Sequence, residues 1–476
     1  EDSLTIKFGL REAEFRPDGF YLNGEKIKLR GLNRHQMYPY IGIAAPKRLQ
    51  RKDADIIKYE LGCNIVRTSH YPQSPHFLDR CDEIGLLVFE EPPGWQFIGD
   101  SDWKALVLRD VQAMIERDRN HPSIILWGVR INESWDDDAL YRATNELAHQ
   151  LDPTRPTGGV RYFQESTFLE DVFTFNDFSN TIVAPQHTPH LVTEYGGHMF
   201  PTKSFDNEER QVEHALRHAR IQNAAAGRDD VTGAIGWCAF DYNTHVEFGS
   251  GDRVCYHGVM DMFRLPKYAA YFYGSQIDPK ERIVLFAATS WQLGDIDTGV
   301  PDEIWVFSNC DEVEIFVGDN PQGRFKPNHD RFPNLPHPPF MAKQIEARIA
   351  HGHDDLMVVG YLNGEVVAEQ RIAMDGIPHT LQLVLDDEEL VADGSDMTRV
   401  VVRITDEYGN PLRYSFTPIT FEIEGPAQLV GENPLALVGG QAALLVRAGQ
   451  EAGAVTITAS APRLGSASAS LNTVAG

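Results

Sequence analysis

Short apolar runs alternate with longer amphipathic segments over more than half of the chain. A short apolar run bounded by turn residues predicts a strand that is buried on both faces, as in a parallel sheet. We predict eight such strands, namely Ile27–Arg34, Asn64–His70, Leu86–Glu90, Ile124–Asn132, Pro156–Tyr162, Val172–Asn176, Leu191–Tyr195 and Gly233–Asp241.

The segments between these strands carry the signals of helices. Ser74 and Pro75 predict an N-cap and a first helical residue, and Gly85 predicts the end of that helix. Eight strand–helix repeats over residues 15–276 predict an α/β fold, a closed (β/α)8 TIM barrel. An open doubly wound sheet is the alternative, but no G-x-G-x-x-G motif follows the first strand. A hairpin over residues 15–29 turns at Asn23-Gly24 and precedes the barrel.

Beyond residue 276 the pattern changes to the period of two that is typical of half-buried strands. Glu303–Ser308 and Glu312–Val317 predict neighbouring strands, and Asn363-Gly364 predicts a tight turn between two others. We therefore expect two immunoglobulin-like β-sandwich domains, residues 277–376 and 377–476.

Charge and cysteine content exclude several classes of partner. The net charge of −26 disfavours nucleic acid and anionic membranes, and no apolar run is long enough to span a bilayer. A neutral polyol fits this charge better than a polyanion. Five cysteines without C-x-x-C spacing predict buried free thiols rather than a zinc site or a disulfide framework.

Two glutamates at the exits of separate strands are the main candidates for chemistry. Glu133 follows Asn132 at the end of the fourth strand, and Glu194 closes the seventh. The C-terminal ends of barrel strands open on one face, so both carboxylates are expected to converge there. Such a pair suits hydrolysis of a glycosidic bond, in which one acid protonates the leaving oxygen and the other attacks the sugar carbon.

Other polar residues at strand ends are candidates for holding these groups. Glu90 and Glu91 are expected to shape the pocket or hold another side chain. Arg67 is expected to keep Glu194 ionised, with a structural ion pair at the barrel mouth as the alternative. Tyr195 is predicted to donate a hydrogen bond to the same carboxylate. The candidate substrate-binding residues are His35, Arg67, His70, Asn132, Tyr195, His198 and Trp237.

The histidines and the tryptophan of this set have different expected roles. The histidines lack H-x-x-x-H spacing on a helix, so we predict no metal ligand and no required cofactor. A structural sodium or magnesium ion is compatible with the fold, although no motif for it is evident. Trp237 is predicted to stack on the apolar face of a sugar, with core packing as the alternative.

Five motifs follow one another along the chain, namely the entry hairpin, Arg30-Gly-Leu-Asn-Arg-His35, Arg67-Thr-Ser-His-Tyr-Pro72, Trp127 through Ser134 and Thr193-Glu-Tyr-Gly196. In this order they resemble glycoside hydrolase family 2, which contains β-galactosidases, β-glucuronidases and β-mannosidases. The resemblance implies a retaining mechanism with Glu133 as acid/base and Glu194 as nucleophile, and carboxyl groups about 5–5.5 Å apart. It also implies a raised pKa for Glu133 and an ionised Glu194.

The chain departs from the family pattern in three places. Residues 1–14 resemble only the tail of the β-sandwich domain that precedes the barrel in the family, so upstream domains or a homo-oligomer are expected to complete the site. The magnesium ligands of some β-galactosidases and the Asn-x-Lys motif of β-glucuronidases are not evident. This favours a saccharide with a terminal β-galactose.

Three other interpretations stay open at this point. They are a β-glucuronidase, a β-mannosidase and a non-hydrolytic carbohydrate-binding protein. The compartment is open too, because free thiols suit the cytoplasm whereas appended sandwich domains are common on exported sugar-degrading enzymes, whether periplasmic or secreted.

Overall fold

A small antiparallel sheet closes one end of the barrel. The computed structural model of the chain describes residues 3, 5, 7–292, 303–346, 348–349 and 352–476; four residues of the predicted tail, at positions 1, 2, 4 and 6, lie outside them. Leu22 pairs with Glu25, which confirms the predicted turn, and Phe20 packs into the bottom of the barrel core. The strands are β1 Ala13–Arg16, β2 Gly19–Leu22 and β3 Glu25–Ile27.

The barrel is confirmed, with eight parallel strands closing in the described part of the chain. The last strand pairs with the first, so that Gly233 lies beside Leu29. A β-carbon on Gly233 would lie 2.1 Å from the carbonyl oxygen of Leu29, so glycine is required at this approach. The strands are β4 Leu29–Arg34, β5 Ile65–Thr68, β6 Leu87–Glu90, β7 Ile124–Gly128, β8 Thr157–Arg161, β9 Val172–Asn176, β10 His190–Glu194 and β11 Gly233–Gly236.

Helices follow six of the eight barrel strands rather than all of them. Between residues 157 and 194, where every residue is described, loops instead of helices join β8 to β9 and β9 to β10. Ser74 caps its helix and Gly85 ends it in the left-handed conformation, as predicted. Within the described residues no helix is long and apolar enough to cross a membrane. The helices are α1 Lys47–Asp55, continued by a π-helical turn Ile56–Glu60, α2 Pro75–Ile84, α3 Ser101–Asp118, α4 Asp138–Leu151, α5 Glu208–Ala226 and α6 Tyr268–Gly274.

Two strands end earlier than the apolar pattern suggests. The run Ile124–Asn132 leaves the ladder after Gly128, and the run Gly233–Asp241 leaves it after Gly236. The residues that follow remain buried, so hydrophobicity alone does not mark the strand ends. These extensions form the upper rim of the barrel.

The segment after the barrel forms a β-sandwich built from two sheets. The strands Glu303–Ser308 (β15) and Glu312–Val317 (β16) lie in different sheets, so the prediction that they are neighbours is wrong. Apolar side chains from both sheets meet in one core, which includes Val306, Ile315 and Leu356. In chain order the elements are β12 Tyr242–Asn243 and β13 Val254–Cys255 on the barrel rim, then β14 Leu285–Ala287, β15 Glu303–Ser308, β16 Glu312–Val317, β17 Asn320–Phe325, β18 Phe340–Lys343, β19 Arg348–Ile349, β20 Gly352–His353, β21 Leu356–Leu362 and β22 Glu365–Ile372.

A second sandwich packs against the barrel. Arg399 donates to the carbonyl oxygens of Phe263 and Arg264, and Arg48 of α1 pairs with Asp396. Its strands are β23 Thr380–Leu385, β24 Glu389–Val391, β25 Met397–Thr405, β26 Pro418–Glu424, β27 Ala427–Val430, β28 Leu435–Ala436, β29 Gln441–Ala448, β30 Gly453–Ala461 and β31 Gly465–Val474. They form two sheets with the strand orders β23-β25-β29-β27 and β24-β31-β30-β26-β28.

Asp53 on α1 joins the barrel rim to this sandwich contact. Its buried carboxylate accepts hydrogen bonds from Arg34 at the end of β4, from Arg264 and from Tyr38, over 2.6–2.9 Å. Burial raises the pKa of Asp53, but the two guanidinium groups outweigh it and leave that pKa lowered. The charge is therefore compensated inside the protein.

We expect Asp53→Ala to destabilise the chain by about 3–5 kcal/mol, because it leaves two buried arginines without their counterion. Urea unfolding followed by tryptophan fluorescence measures the change. Asp229→Ala, which removes an exposed partner of Lys26, should leave the midpoint unmoved. Equal midpoints for both variants would contradict this account.

Candidate active site

The predicted carboxylates line one cavity at the C-terminal ends of the barrel strands. The cavity has a volume of about 950 Å³ and is open to solvent. Glu133 and Glu194 both face it, although they come from different strands. The structure thus brings together the two acids that the sequence singled out. Other predicted residues that line the same cavity are His35, His70, Asn132, His198 and Trp237.

Glu194 is the last residue of β10 and is almost fully buried. Its Oε1 accepts a hydrogen bond from Arg67 Nη1 at 2.7 Å. Burial raises the pKa of Glu194 to about 6, Arg67 opposes this, and the nearby negative charge of Glu133 adds to it. Glu194 is thus mostly ionised at pH 7, although its pKa lies above that of a free glutamate.

Arg67 is the hub of the polar layer beneath the cavity. Its guanidinium also donates to both oxygens of Glu91, at 2.7 and 3.1 Å, and to the side-chain oxygens of Asn33 and Asn132. Burial lowers the pKa of Arg67, but Glu91 and Glu194 outweigh it and raise that pKa. Glu91 therefore holds Arg67 in place, one of the roles considered for it.

Glu133 sits in the loop after β7, in a left-handed backbone conformation with φ of 54°. Its carboxylate accepts hydrogen bonds from neutral donors: Trp95 Nε1 at 3.1 Å, Gln96 Nε2 at 3.2 Å and Asn176 Nδ2 at 3.0 Å. These three residues are not among the candidates predicted from the sequence, because their motifs carry no charge or ligand spacing. Asn176 could have been predicted from its position at the C-terminal end of β9, on the same face of the barrel as the other candidates.

Asn132 precedes Glu133 in the chain and shares the guanidinium of Arg67 with Glu194. Its Oδ1 accepts from Arg67 Nη2 at 2.8 Å, which orients the amide. Its Nδ2 is buried and has no hydrogen-bond partner among the described residues. A buried donor without a partner is costly, so this group is suited to bind a polar atom of a ligand.

Aromatic rings and histidines form one wall of the cavity. The ring of His70 stacks on Trp237 with centroids 5.1 Å apart, and His35 contacts the same indole edge-on at 5.4 Å. His70 Nδ1 lies 3.0 Å from Glu91 Oε1, so the layer beneath the cavity also fixes this wall. His198 packs against Phe178 on another side.

Tyr195 does not face the cavity, and its predicted bond to Glu194 is wrong. Successive side chains of a strand point to opposite faces, so the residue after Glu194 points out of the barrel. Its hydroxyl contacts Tyr273 and Gln222 between the barrel and its helices. Burial raises its pKa beyond the usual range.

The described residues contain no group of three or more His, Cys, Asp or Glu side chains placed to hold a metal ion. All five cysteines lie in the described part of the chain and are buried free thiols. The site therefore consists of two carboxylates in different settings. One is paired with a buried guanidinium, and the other is held by neutral donors.

Models of known protein families match three parts of the chain. A model of the TIM barrel domain of glycosyl hydrolases family 2 matches residues 14–279. The chain belongs to glycosyl hydrolase family 2. A model of the family 2 C-terminal domain 5 matches residues 381–470, and a domain of unknown function matches residues 299–368.

Curated relatives of this family 2 chain include β-galactosidases. It is 55% identical over 458 residues to one from Thermoanaerobacterium thermosulfurigenes, with 92% of the chain and 64% of the relative covered. It is 53% identical over 468 residues to one from Thermoanaerobacter pseudethanolicus, with 96% of the chain and 63% of the relative covered. The chain thus spans under two thirds of the length of these relatives. A solved β-glycosidase from Bacteroides vulgatus shares the fold, with a TM-score of 0.81, 22% identity and 98% and 67% coverage.

The charge of Arg67 beside Glu194 makes the titration of this carboxyl group testable. We expect the carboxyl group of Glu194 to titrate near pH 6. Carbon-13 NMR of labelled glutamate measures this titration. Glu133→Gln removes a charge that raises this pKa and should lower it, whereas Arg67→Met removes a charge that lowers it and should raise it. Unchanged titration in both variants would show that the charges do not interact.

Proposed function

We propose that the chain is the catalytic part of a retaining exo-β-galactosidase. The observation that carries this proposal is the convergence of Glu133 and Glu194 on one open cavity in a family 2 barrel. The names of the relatives at 53–55% identity support galactose as the sugar. A neutral sugar also agrees with the charge of the chain.

In the first step Glu194, ionised beside Arg67, attacks the anomeric carbon while Glu133 gives its proton to the glycosidic oxygen. The aglycone leaves, and the galactosyl group stays bound through an ester to Glu194. In the second step Glu133, now a carboxylate, removes a proton from water as the water attacks the same carbon. The ester breaks, galactose is released, and both acids regain their starting protonation.

The setting of each acid supports its role. Glu194 is paired with the cation of Arg67, which favours the carboxylate that a nucleophile needs and opposes the effect of burial. Glu133 is half-buried and nearer to solvent, where a leaving group and then a water can reach it. The unpartnered Nδ2 of Asn132 is placed to bind the hydroxyl beside the anomeric carbon.

Substitution of the two acids tests the chemistry. We expect Glu194→Gln to lower kcat for an aryl β-galactoside by on the order of 10⁴-fold or more, because no nucleophile remains. In kcat/KM, which reports the first step, Glu133→Gln should lose about 10²–10⁴-fold on substrates with poor leaving groups and much less on a dinitrophenyl galactoside, which leaves without a proton. The exposed Glu116→Gln is the control. Turnover that persists in Glu194→Gln would refute the mechanism.

The sugar and the stereochemistry need their own measurement. Proton NMR during hydrolysis should show β-galactose first, since two displacements at one carbon preserve its configuration. Among aryl β-galactoside, β-glucuronide and β-mannoside, the galactoside should have the highest kcat/KM. Initial release of α-galactose would overturn the retaining mechanism. A higher kcat/KM for the glucuronide or the mannoside would overturn galactose as the sugar.

A further inference from the structure

Three aromatic side chains form a cluster at the edge of the cavity, named here the aromatic platform (Trp135, Tyr162 and Phe163). Trp135 is 68% exposed and Tyr162 is 39% exposed. The ring of Trp135 lies 5.9 Å from that of Tyr162 and 5.4 Å from that of Phe163, and the last two are 5.3 Å apart. Large apolar side chains grouped on the surface commonly mark a binding site.

Polar contacts hold the two loops that carry the platform in place. Asp136, next to Trp135, pairs with Arg130 at 2.7 Å and accepts hydrogen bonds from Ser166 Oγ and the backbone N–H of Thr167. Arg161 of β8 also donates to Ser166. The exposed rings thus stand on a fixed base, as in a preorganised binding surface.

The platform continues the cavity on the side of Glu133. Trp135 follows Glu133 by two residues, and Tyr162 lines the cavity as well as contacting Trp135. The loop after β8 has room to take this position because no helix follows that strand in the described chain. In the proposed mechanism Glu133 protonates the leaving oxygen, so the leaving group departs toward this side.

We propose that the aromatic platform binds sugar rings on the leaving-group side of a β-linked oligosaccharide. This rests on the proposed function and narrows its substrate class to saccharides longer than a disaccharide. A pyranose presents C–H bonds on one face, which pack well on an aromatic ring. Three side chains are too few for a stable protein interface, which needs about 20–30 residues a side.

Kinetics on a substrate series tests the platform. Wild type and Trp135→Ala are compared on an aryl β-galactoside and on a β-galactosyl-terminated tetrasaccharide. The ratio of kcat/KM for the tetrasaccharide to that for the aryl galactoside should fall about tenfold in Trp135→Ala, and Trp135→Phe should restore most of it. Tyr59→Ala, which removes an exposed ring on the outside of the barrel, should leave the ratio unchanged.

Binding provides a readout that does not depend on turnover. By calorimetry, the tetrasaccharide should bind Glu133→Gln about tenfold more tightly than it binds Glu133→Gln/Trp135→Ala. Equal affinities, or an unchanged kinetic ratio, would overturn the platform proposal even where the enzyme hydrolyses galactosides. Binding that depends on Trp135 without any hydrolysis would support the platform and reject the proposed function instead.

Discussion

The ion network around Arg67 is the interaction on which the site depends. One buried guanidinium binds Glu194, Glu91 and Asn132 at once, and through Asn132 it reaches the surroundings of Glu133. A cation without these partners could not remain so deeply buried, and a carboxylate without the cation would take up a proton. The packing of the barrel interior, the compensation of its charges and the ionisation of Glu194 thus all depend on the contacts of Arg67.

The sequence was sufficient for the architecture because its signals are local and repeated. Apolar runs, the cap at Ser74 and the turn at Asn23-Gly24 are each decided within a few residues. The two acids followed from one topological rule, that strand ends of a barrel share a face. The binding role of Arg67 toward Glu194 followed from the same rule.

The errors come from features that are not local. The prediction for Tyr195 is wrong because nearness along the chain is not nearness in space, and strand alternation turns this side chain outward. Trp95, Gln96 and Asn176 are polar or aromatic residues in loops and strand ends, and only the closed barrel brings them to Glu133. The two missing helices could not be inferred either, since loops and short helices share a polar composition.

The left-handed backbone at Glu133 has a consequence for how this chain can change. A β-carbon costs stability in that conformation, which glycine adopts freely and asparagine adopts more readily than glutamate. Selection for heat resistance alone would therefore favour Glu133→Gly, and this change removes the group that serves as acid and base in the proposed mechanism. A screen for robust variants of this barrel should accordingly retain an activity step, because otherwise it will enrich inert proteins.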